Sequence, residues 1–396
     1  MFVQIHMLQS LPPGNLNRDD TGQPKKCVFG GVTRGRISSQ CLKRNIRRSE
    51  YFADYLDGAS LRSMHLPGLL TEQLQNQQGF DEAEGAILAE AMNKKFKSEK
   101  KISNPETEQD GEDGSTPDNG KLLTKQLVFF TRAFVDALAE MVRQQRTPDA
   151  VKTKKAKKEF YTKFFDEQQD VIIEASAKLT PDIALFGRMT TSDLLVDVEA
   201  VCQVAHAIST HETVIEGDYF TAMDDLAEGP GAAFLGSGDT VTFFDSAVYY
   251  KYMNVDVAAL RDKDHLTDAF SVEDAAELVS TFLRAAACKN PTGKQNSYAA
   301  HGLPEYILVE LSETKQPISY ANAFLEPVDG GNQITRSAEA LNTYIASITK
   351  AYAPADTKRV VLQVGSASAV TPLDDATTVE TLDELCSTVK DGLLEV

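Results

Sequence analysis

The pattern of apolar and polar positions divides the chain into an N-terminal strand, a long helical stretch, and a C-terminal region where strands and helices alternate. Phe2, Ile5, Met7 and Leu8 stand among polar positions over residues 2–8 and predict a first strand. Residues 9–33 carry Pro12, Pro13, Gly14, Gly22, Pro24, Gly30 and Gly31 and read as a long loop. From 39 to 180 the period is mostly helical, clearest over 82–92 and 125–146. Between those two, 98–121 is polar and rich in Asn, Pro, Glu, Asp, Gly and Ser, the composition of a loop without fixed structure. The basic run 152–158 reads as a solvated helix face. Short apolar runs then predict strands over 182–186, 201–213 and 240–252. Residues 214–239 are rich in Gly and Asp and carry two apolar pairs, Tyr219-Phe220 and Phe234-Leu235, with no evident core partner. Helix over 272–287, strand over 306–311, helix over 338–352, strand over 359–364 and helix over 378–389 complete the chain. This order predicts an α+β sheet with helices on one face, and fits a ferredoxin-like or RRM-like core with insertions.

Charge changes the picture. The 396 residues hold 58 acidic and 40 basic side chains, a net charge of −18, which taken alone argues against a nucleic-acid partner. The average hides a segregation. Residues 1–48 carry nine basic residues against Asp19 and Asp20, a net +7, and the remaining 348 residues carry −25. Such asymmetry marks either a phosphate site or a solvated basic face. Spacing sharpens this. Arg34–Ile37 reads as a strand end, and Ser38 and Ser39 offer N-cap hydroxyls for a helix over 40–48. Lys43 and Arg47 then share one face, Gln40 and Arg44 another, and Leu42 and Ile46 form the buried stripe. A helix N-terminus with hydroxyls and exposed basic groups is suited to oxyanions.

Other chemistry is sparse. There is no phosphate-loop, HExxH, GxSxG or dinucleotide fingerprint. The five cysteines are scattered, with no CxxC pair, and fit free thiols in a reducing cytoplasm. No run of 18 apolar residues predicts a membrane span, and the first residues lack the pattern of a signal peptide. No cofactor or metal is expected. His206 and His211 are five apart, on opposite faces of a strand, and His206, between alanines, reads as a core histidine. Asp224 and Asp225 read as turn caps. Two further polar loops stand out: Gly187-Arg188-Met189, expected to project from a sheet edge, and 292–298 with Lys294 and Tyr298.

Several strings recur in one order. They are Leu16-Asn17-Arg18-Asp19-Asp20, Phe29-Gly30-Gly31 and the run from Arg36 to Arg44, then Gly187-Arg188-Met189, the run from Ala205 to His211, the run from Asp218 to Ala222, and Ala321-Asn322-Ala323-Phe324. With these the chain resembles the type I-E CRISPR Cascade backbone subunits, the CasC family, over nearly its whole length. The acidic stretch 98–121 is a departure, an insertion in the helical region.

The resemblance implies a hand-shaped fold. An RRM-like palm would comprise 1–55, 182–212 and 246–396, a helical fingers domain 56–181, and a thumb β-hairpin 213–245. It implies a non-catalytic subunit that lines up with neighbouring copies of itself along a CRISPR RNA, joins other Cascade subunits, and presents the guide for pairing with target DNA. By matching positions, Arg18, Lys25, Ser38, Gln40, Lys43, Arg44 and Arg47 would hold the RNA backbone, with Lys294 from the polar loop and Arg188 and Met189 against the spacer. Tyr219, Phe220, Thr221 and Leu235 would be the thumb positions that kink the strand and turn out a base, which gives those apolar groups a role. The competing expectation is a metal-dependent ribonuclease using Asp19 or Asp20.

Overall fold

The first strand, β1 (Phe2–Gly14), is almost twice as long as its pattern predicts and is buried on both faces. It is central: β11 (Val241–Asp256) lies along one side and β12 (Tyr306–Ser312) along the other, both antiparallel. Its polar residues fooled the period because they face a second core rather than water. Gln4 accepts from the Tyr252 hydroxyl at 2.8 Å and the Ile318 amide at 2.7 Å. His6 lies 3.2 Å from the buried Glu310 carboxylate, which Arg359 Nε also reaches at 2.8 Å. The structure, a computed structural model, describes residues 1–54, 60–75, 80–95, 123–124, 127–145, 151, 153–190, 192–219, 222–223, 233–234, 241–266, 269–352 and 357–395.

Part of the expected loop 9–33 is also strand. The hairpin β2 (Lys26–Phe29) and β3 (Val32–Ile37) turns at Gly30 and Gly31, both at positive φ. A Cβ on Gly30 would collide with the Leu325 carbonyl. Helices α1 (Ser39–Arg47) and α2 (Glu50–Asp54) follow. A helical unit comes next: a short hairpin of β4 (Leu61–Ser63) with β5 (Val128–Phe130), and helices α3 (Leu66–Gln75), α4 (Glu82–Met92), α5 (Arg132–Gln144), α6 (Lys154–Glu167) and α7 (Gln169–Ser176). Its core runs from Leu66 to Leu195 and is separate from those of the sheet. The helix expected over 125–146 therefore begins as strand. The described part of the basic run lies at the start of α6 as expected, and three of its lysines are paired: Lys154 and Lys158 bind Glu90 and hold its carboxyl down to about 2, and Lys157 lies 3.3 Å from Glu84. The expectation for 98–121 lies outside the described residues, as do Asp224 and Asp225.

Residues 182–186, expected as strand, are helix: α8 (Pro181–Phe186). Pro181 at its first position and Gly187 at its end, φ 77°, set the limits, and the four apolar residues Ile183 to Phe186 are too few for period to tell strand from helix. The strand expected over 201–213 is two short pieces, β6 (Cys202–Val204) and β7 (Ala207–Ser209). His206 between them is exposed, not core, and its Nδ1 lies 3.0 Å from Arg36 Nη1. Of these two histidines the buried one is His211, whose Nδ1 meets the Glu212 carbonyl and whose Nε2 accepts from the Val248 amide.

The strand β8 (Glu216–Tyr219) pairs with the outer end of β11, and β9 (Ala222–Met223) pairs with β10 (Ala233–Phe234). After β11 come α9 (Val257–Leu260), α10 (Val272–Cys288), α11 (Gln295–Tyr298), β12, α12 (Gln333–Tyr352), β13 (Thr357–Gln363), β14 (Ala376–Val379) and α13 (Leu382–Leu394). Strand β14, which takes the first two residues of the helix expected over 378–389, makes the one parallel pairing in the main sheet among the described residues. The sheet order is β14-β13-β12-β1-β11-β7-β3-β2, with β6 and β8 also on β11.

Helices cover both faces, not one. On the first, Val3, Ile5 and Met7 pack with Leu42 and Ile46 of α1, Val279 and Phe282 of α10, and Leu385 of α13. On the second, Leu8, Tyr250 and Leu308 pack with Ile334, Leu341 and Ile345 of α12. The result is a mixed α+β fold on a mostly antiparallel sheet.

Candidate nucleic-acid interface

The best-defined local structure in the basic segment is the start of α1. Ser38 is its N-cap, with extended backbone and an Oγ that accepts from the Cys41 amide at 3.3 Å. Asn17 Oδ1 accepts from the Ser38 amide at 2.8 Å and so ties the preceding loop to the helix. Cys41, Leu42 and Ile46 are buried, while Gln40, Arg44 and Arg48 face solvent and Lys43 is half-buried.

That loop is folded rather than loose. The Lys25 amide donates to the Asn17 carbonyl at 2.8 Å, and Arg18 pairs with Pro24. Asp19 Oδ1 accepts from the Thr21 amide, the Thr21 hydroxyl and the Gln23 amide at 2.9, 2.7 and 3.1 Å. Partial burial pushes its pKa up, but these bonds and the charge of Lys26 outweigh that and leave it lowered. The Asp19 carboxylate thus braces the turn that carries Arg18.

Two clefts flank α1. The first, about 600 Å³, lies between α1 and the loop after α10, and its charged lining is Arg18, Arg44, Arg48, Lys289 and Lys294 with Glu50. The second, about 810 Å³, lies between α1 and the helical unit and is lined by Gln40, Lys43, Arg47, Arg62, Phe129 and Met189 among others. Arg44, Arg48 and Ser49 border both, so the helix is a basic ridge between two grooves. The loop wall of the first groove is strained. Lys294 and Ala299 hold left-handed backbone, φ 51° and 49°, costly for side-chain-bearing residues. A Cβ on Gly293 would strike the Leu16 carbonyl, so the two loops touch.

Not every expected residue is placed as the sequence predicts. Ser38 is buried and its oxygen caps the helix. Arg47, expected on an open face, is largely buried: it donates to the Ser60 carbonyl at 2.9 Å, stands over the Phe129 ring and meets Asp182. Burial lowers its pKa and Asp182 opposes that. Arg188, expected to project from a sheet edge, turns inward and donates to the carbonyls of Val196 and Ser176, both at 2.8 Å. Burial takes it down to about 10, against the raising effect of Asp197. Its neighbour Met189 projects fully, 93% exposed. Lys25 borders neither large cleft and lies with Arg36, Asp245 and Tyr249 around a small cavity under the loop. Tyr219 is exposed at the end of β8. Phe220, Thr221 and Leu235 lie outside the described residues.

The +7 segment is also less open than it counts, because Arg34 is fully buried and bonded to the carbonyls of Phe29, Ser209 and Phe324. Conversely, Arg48, Arg62 and Lys289 border the clefts without having been singled out as site residues. Arg48 and Lys289 were recoverable, one from the basic helix and one from its place just before the polar loop. Arg62 stands alone in sequence and gives no signal. Among the described residues no three His, Cys, Asp or Glu side chains converge as metal ligands, and no helix is long and apolar enough to cross a membrane.

The described basic residues thus line two grooves along α1. The family model described as CT1975-like protein matches residues 3–388. The chain belongs to this family. A family likeness also appears in solved structures. One is a chain of a "CRISPR RNA-guided surveillance complex, pre-nicking", 26% identical, with a TM-score of 0.77 over 99% of this chain and 100% of that one. Another is a chain of a "CRISPR RNA-guided surveillance complex", 22% identical, with a TM-score of 0.65 over 98% and 100%, a likeness that shows the fold alone. No curated protein is matched significantly by the sequence. The resemblance to Cascade backbone subunits read from the sequence stands with these matches.

Proposed function

We propose that this family member is a non-catalytic, guide-RNA-binding backbone subunit of a type I-E CRISPR surveillance complex. It works in the cytoplasm, lines up with copies of itself and other Cascade subunits along the CRISPR RNA, and offers the guide for pairing with target DNA. The observation that carries this is the ridge of α1 between two basic clefts. Its donors are spaced along a groove rather than gathered in one pocket, which suits a phosphodiester chain held without regard to sequence.

The palm reading of 1–55, 182–212 and 246–396 is supported by the order β12-β1-β11 followed by β6 and β7, with α1 and α10 on one face. That is the order of a ferredoxin-like βαββαβ core. RRM domains commonly stack bases on the open sheet face. Here α12 buries that face, so the RNA path goes to the ridge. The fingers reading of 56–181 is supported by the separate core, which also takes in Leu194 and Leu195. In the thumb, 213–245, where Tyr219, Phe220, Thr221 and Leu235 would kink the strand, Tyr219 is exposed, which suits that role. Exposed Met189 at the rim of the second cleft suits a kinked strand, where an apolar side chain fills an unstacked step.

The test is copurification. The chain, expressed with a CRISPR array and its partner subunits, is expected to carry RNA of one defined length on a denaturing gel. Lys43→Glu with Arg44→Glu is expected to strip that RNA while leaving the circular dichroism spectrum unchanged. A complex with no RNA, or with RNA of random lengths, contradicts the proposal.

A further inference from the structure

The outer end of β11 leaves the main sheet as an arm. Strand β1 stops at Gly14, opposite Asp245, and residues 241–244 run beyond it, paired with β8, which is exposed throughout. Two clamps hold the root of this arm, and each comes from one wall of the first cleft. On the Arg18 side, Asn15 is 1% exposed and donates through Nδ2 to the Phe243 carbonyl at 2.8 Å and to the Gly22 carbonyl at 3.0 Å, within the turn that Asp19 braces. On the Lys294 side, the Tyr298 hydroxyl lies 3.1 Å from Thr242 Oγ1, and the Tyr298 ring packs on Phe244 with 5.7 Å between centroids. Thr242 and Phe244 are two apart on a strand and so share the face that Tyr298 meets.

The loop between cleft and arm is strained at both ends. Lys294 and Ala299 hold left-handed backbone on either side of α11. Such residues persist only where their surroundings over-determine them, and they cluster at clamps and switches. Here the surroundings are the Leu16 carbonyl close against Gly293, the Pro291 and Ala300 carbonyls that Gln295 Nε2 reaches at 3.1 and 3.2 Å, and the arm itself. Lys294 borders the cleft, and its carbonyl accepts from the Tyr298 amide at 3.0 Å. A ligand seated against the first residue therefore bears on the second.

We propose that this loop couples the first cleft to the thumb. An occupied cleft fixes the pose of the arm through Tyr298 and Asn15. A copy seated on the guide then presents a set thumb to its neighbour, and copies add cooperatively, because a thumb already held loses less freedom when the neighbour docks. Tyr298 and Asn15 are positioning residues, and neither has to touch the guide. This rests on the guide-binding reading above and adds coupling between copies to it.

The test uses full-length chain stripped of nucleic acid and two ribo-oligonucleotides, one short enough for a single copy and one long enough for several, with stoichiometry read by native mass spectrometry. Hydrogen exchange is followed in the peptides covering 214–219 and 241–245. Wild-type protein holding the short strand is expected to exchange more slowly there than free protein. It should bind the long strand roughly tenfold more tightly per copy than the short one, an ordinary size for coupling between sites. Tyr298→Ala removes the clamp from the loop side and Thr242→Val from the arm side, and neither residue lines the cleft. Both variants should keep the short-strand affinity while losing most of the slowed exchange and most of the long-strand advantage. A merely structural role would instead weaken binding to both strands by the same factor, and that result overturns the coupling. Slowed exchange that persists in both variants, or equal affinity per copy for the two strands in wild type, also overturns it and leaves guide binding standing. Failure of the wild-type chain to bind either strand overturns both.

Discussion

Arg47 Nη1 stands 3.7 Å from Asp182 Oδ2, and that pair joins the end of the basic helix to α8 and to the start of the helical unit. Asp182 is 1% exposed and also accepts from the Ser60 hydroxyl at 2.6 Å and the Ser60 amide at 3.2 Å. Arg47 closes the arrangement by donating to the Ser60 carbonyl. Removing one member of a buried pair leaves the other charge uncompensated. Arg47→Ala is therefore expected to lower stability by about 3 kcal/mol, seen as a lower midpoint in urea unfolding, and Arg47→Glu by more. Wild-type stability in Arg47→Ala would remove this strut role and return the residue to the open groove.

Arg44 and Arg48 carry the opposite expectation. Both are exposed and border both clefts, so neither holds the fold. Replacing each with Ala should leave the unfolding midpoint within experimental error. The dependence of log affinity on log salt should flatten by roughly 0.7 per residue, the value for one phosphate contact on a single strand. An affinity loss with an unchanged salt slope would place these side chains away from phosphate.

Asp19 separates a structural acid from a catalytic one. Its Oδ1 accepts three bonds within its own turn. Asp19→Ala is expected to free the turn that carries Arg18 and to lower guide affinity several-fold, since a charged hydrogen-bond network is lost. With complementary RNA and Mg²⁺, wild type and Asp19→Ala should both show background cleavage on a denaturing gel. Cleavage that disappears in Asp19→Ala or Asp20→Ala would establish the nuclease instead.

Lys251 gives a pH-dependent test of the core. It lies in β11 opposite Met7, is 1% exposed, and its amine has no hydrogen-bond partner. Burial lowers its pKa from 10.5 to about 8. Between those values the unfolded chain binds more protons than the folded one, so this residue makes stability rise with pH across that window. Below pH 8 the full cost is present. Lys251→Met should be more stable than wild type by about 3 kcal/mol at pH 7, and the gap should narrow from pH 8 to 10.5. A gap that stays constant with pH would mean the lysine is already neutral or is compensated.

Much of this arrangement was legible in the residues. The helix with its Ser38 cap, its Leu42 and Ile46 stripe and its outward Lys43 and Arg44 follows from spacing alone, because capping and period are local physics. The loops with Arg18 and Lys294 were singled out by composition, and their convergence on one cleft required the fold. What failed did so where tertiary contacts outweigh local pattern. Gln4 and His6 look solvent-facing and are instead bonded inside a second core, so the covering of both sheet faces was hidden. Arg34, Arg47 and Arg188 count as surface charge in any sequence, and each is bonded to buried backbone carbonyls by residues far along the chain or across a turn. Pro181 and Gly187, which delimit α8, were visible, but the four apolar residues from Ile183 to Phe186 satisfy a strand equally well.

The most direct measurement is ultraviolet cross-linking of the guide RNA in the assembled complex, with the linked peptides identified by mass spectrometry. RNA lying along the ridge should give cross-links in the peptides that hold Lys43 to Arg48, Lys289 to Tyr298, and Met189. Cross-links confined to the α12 face or to α13, with none in those three peptides, would contradict a guide held in the two clefts beside α1.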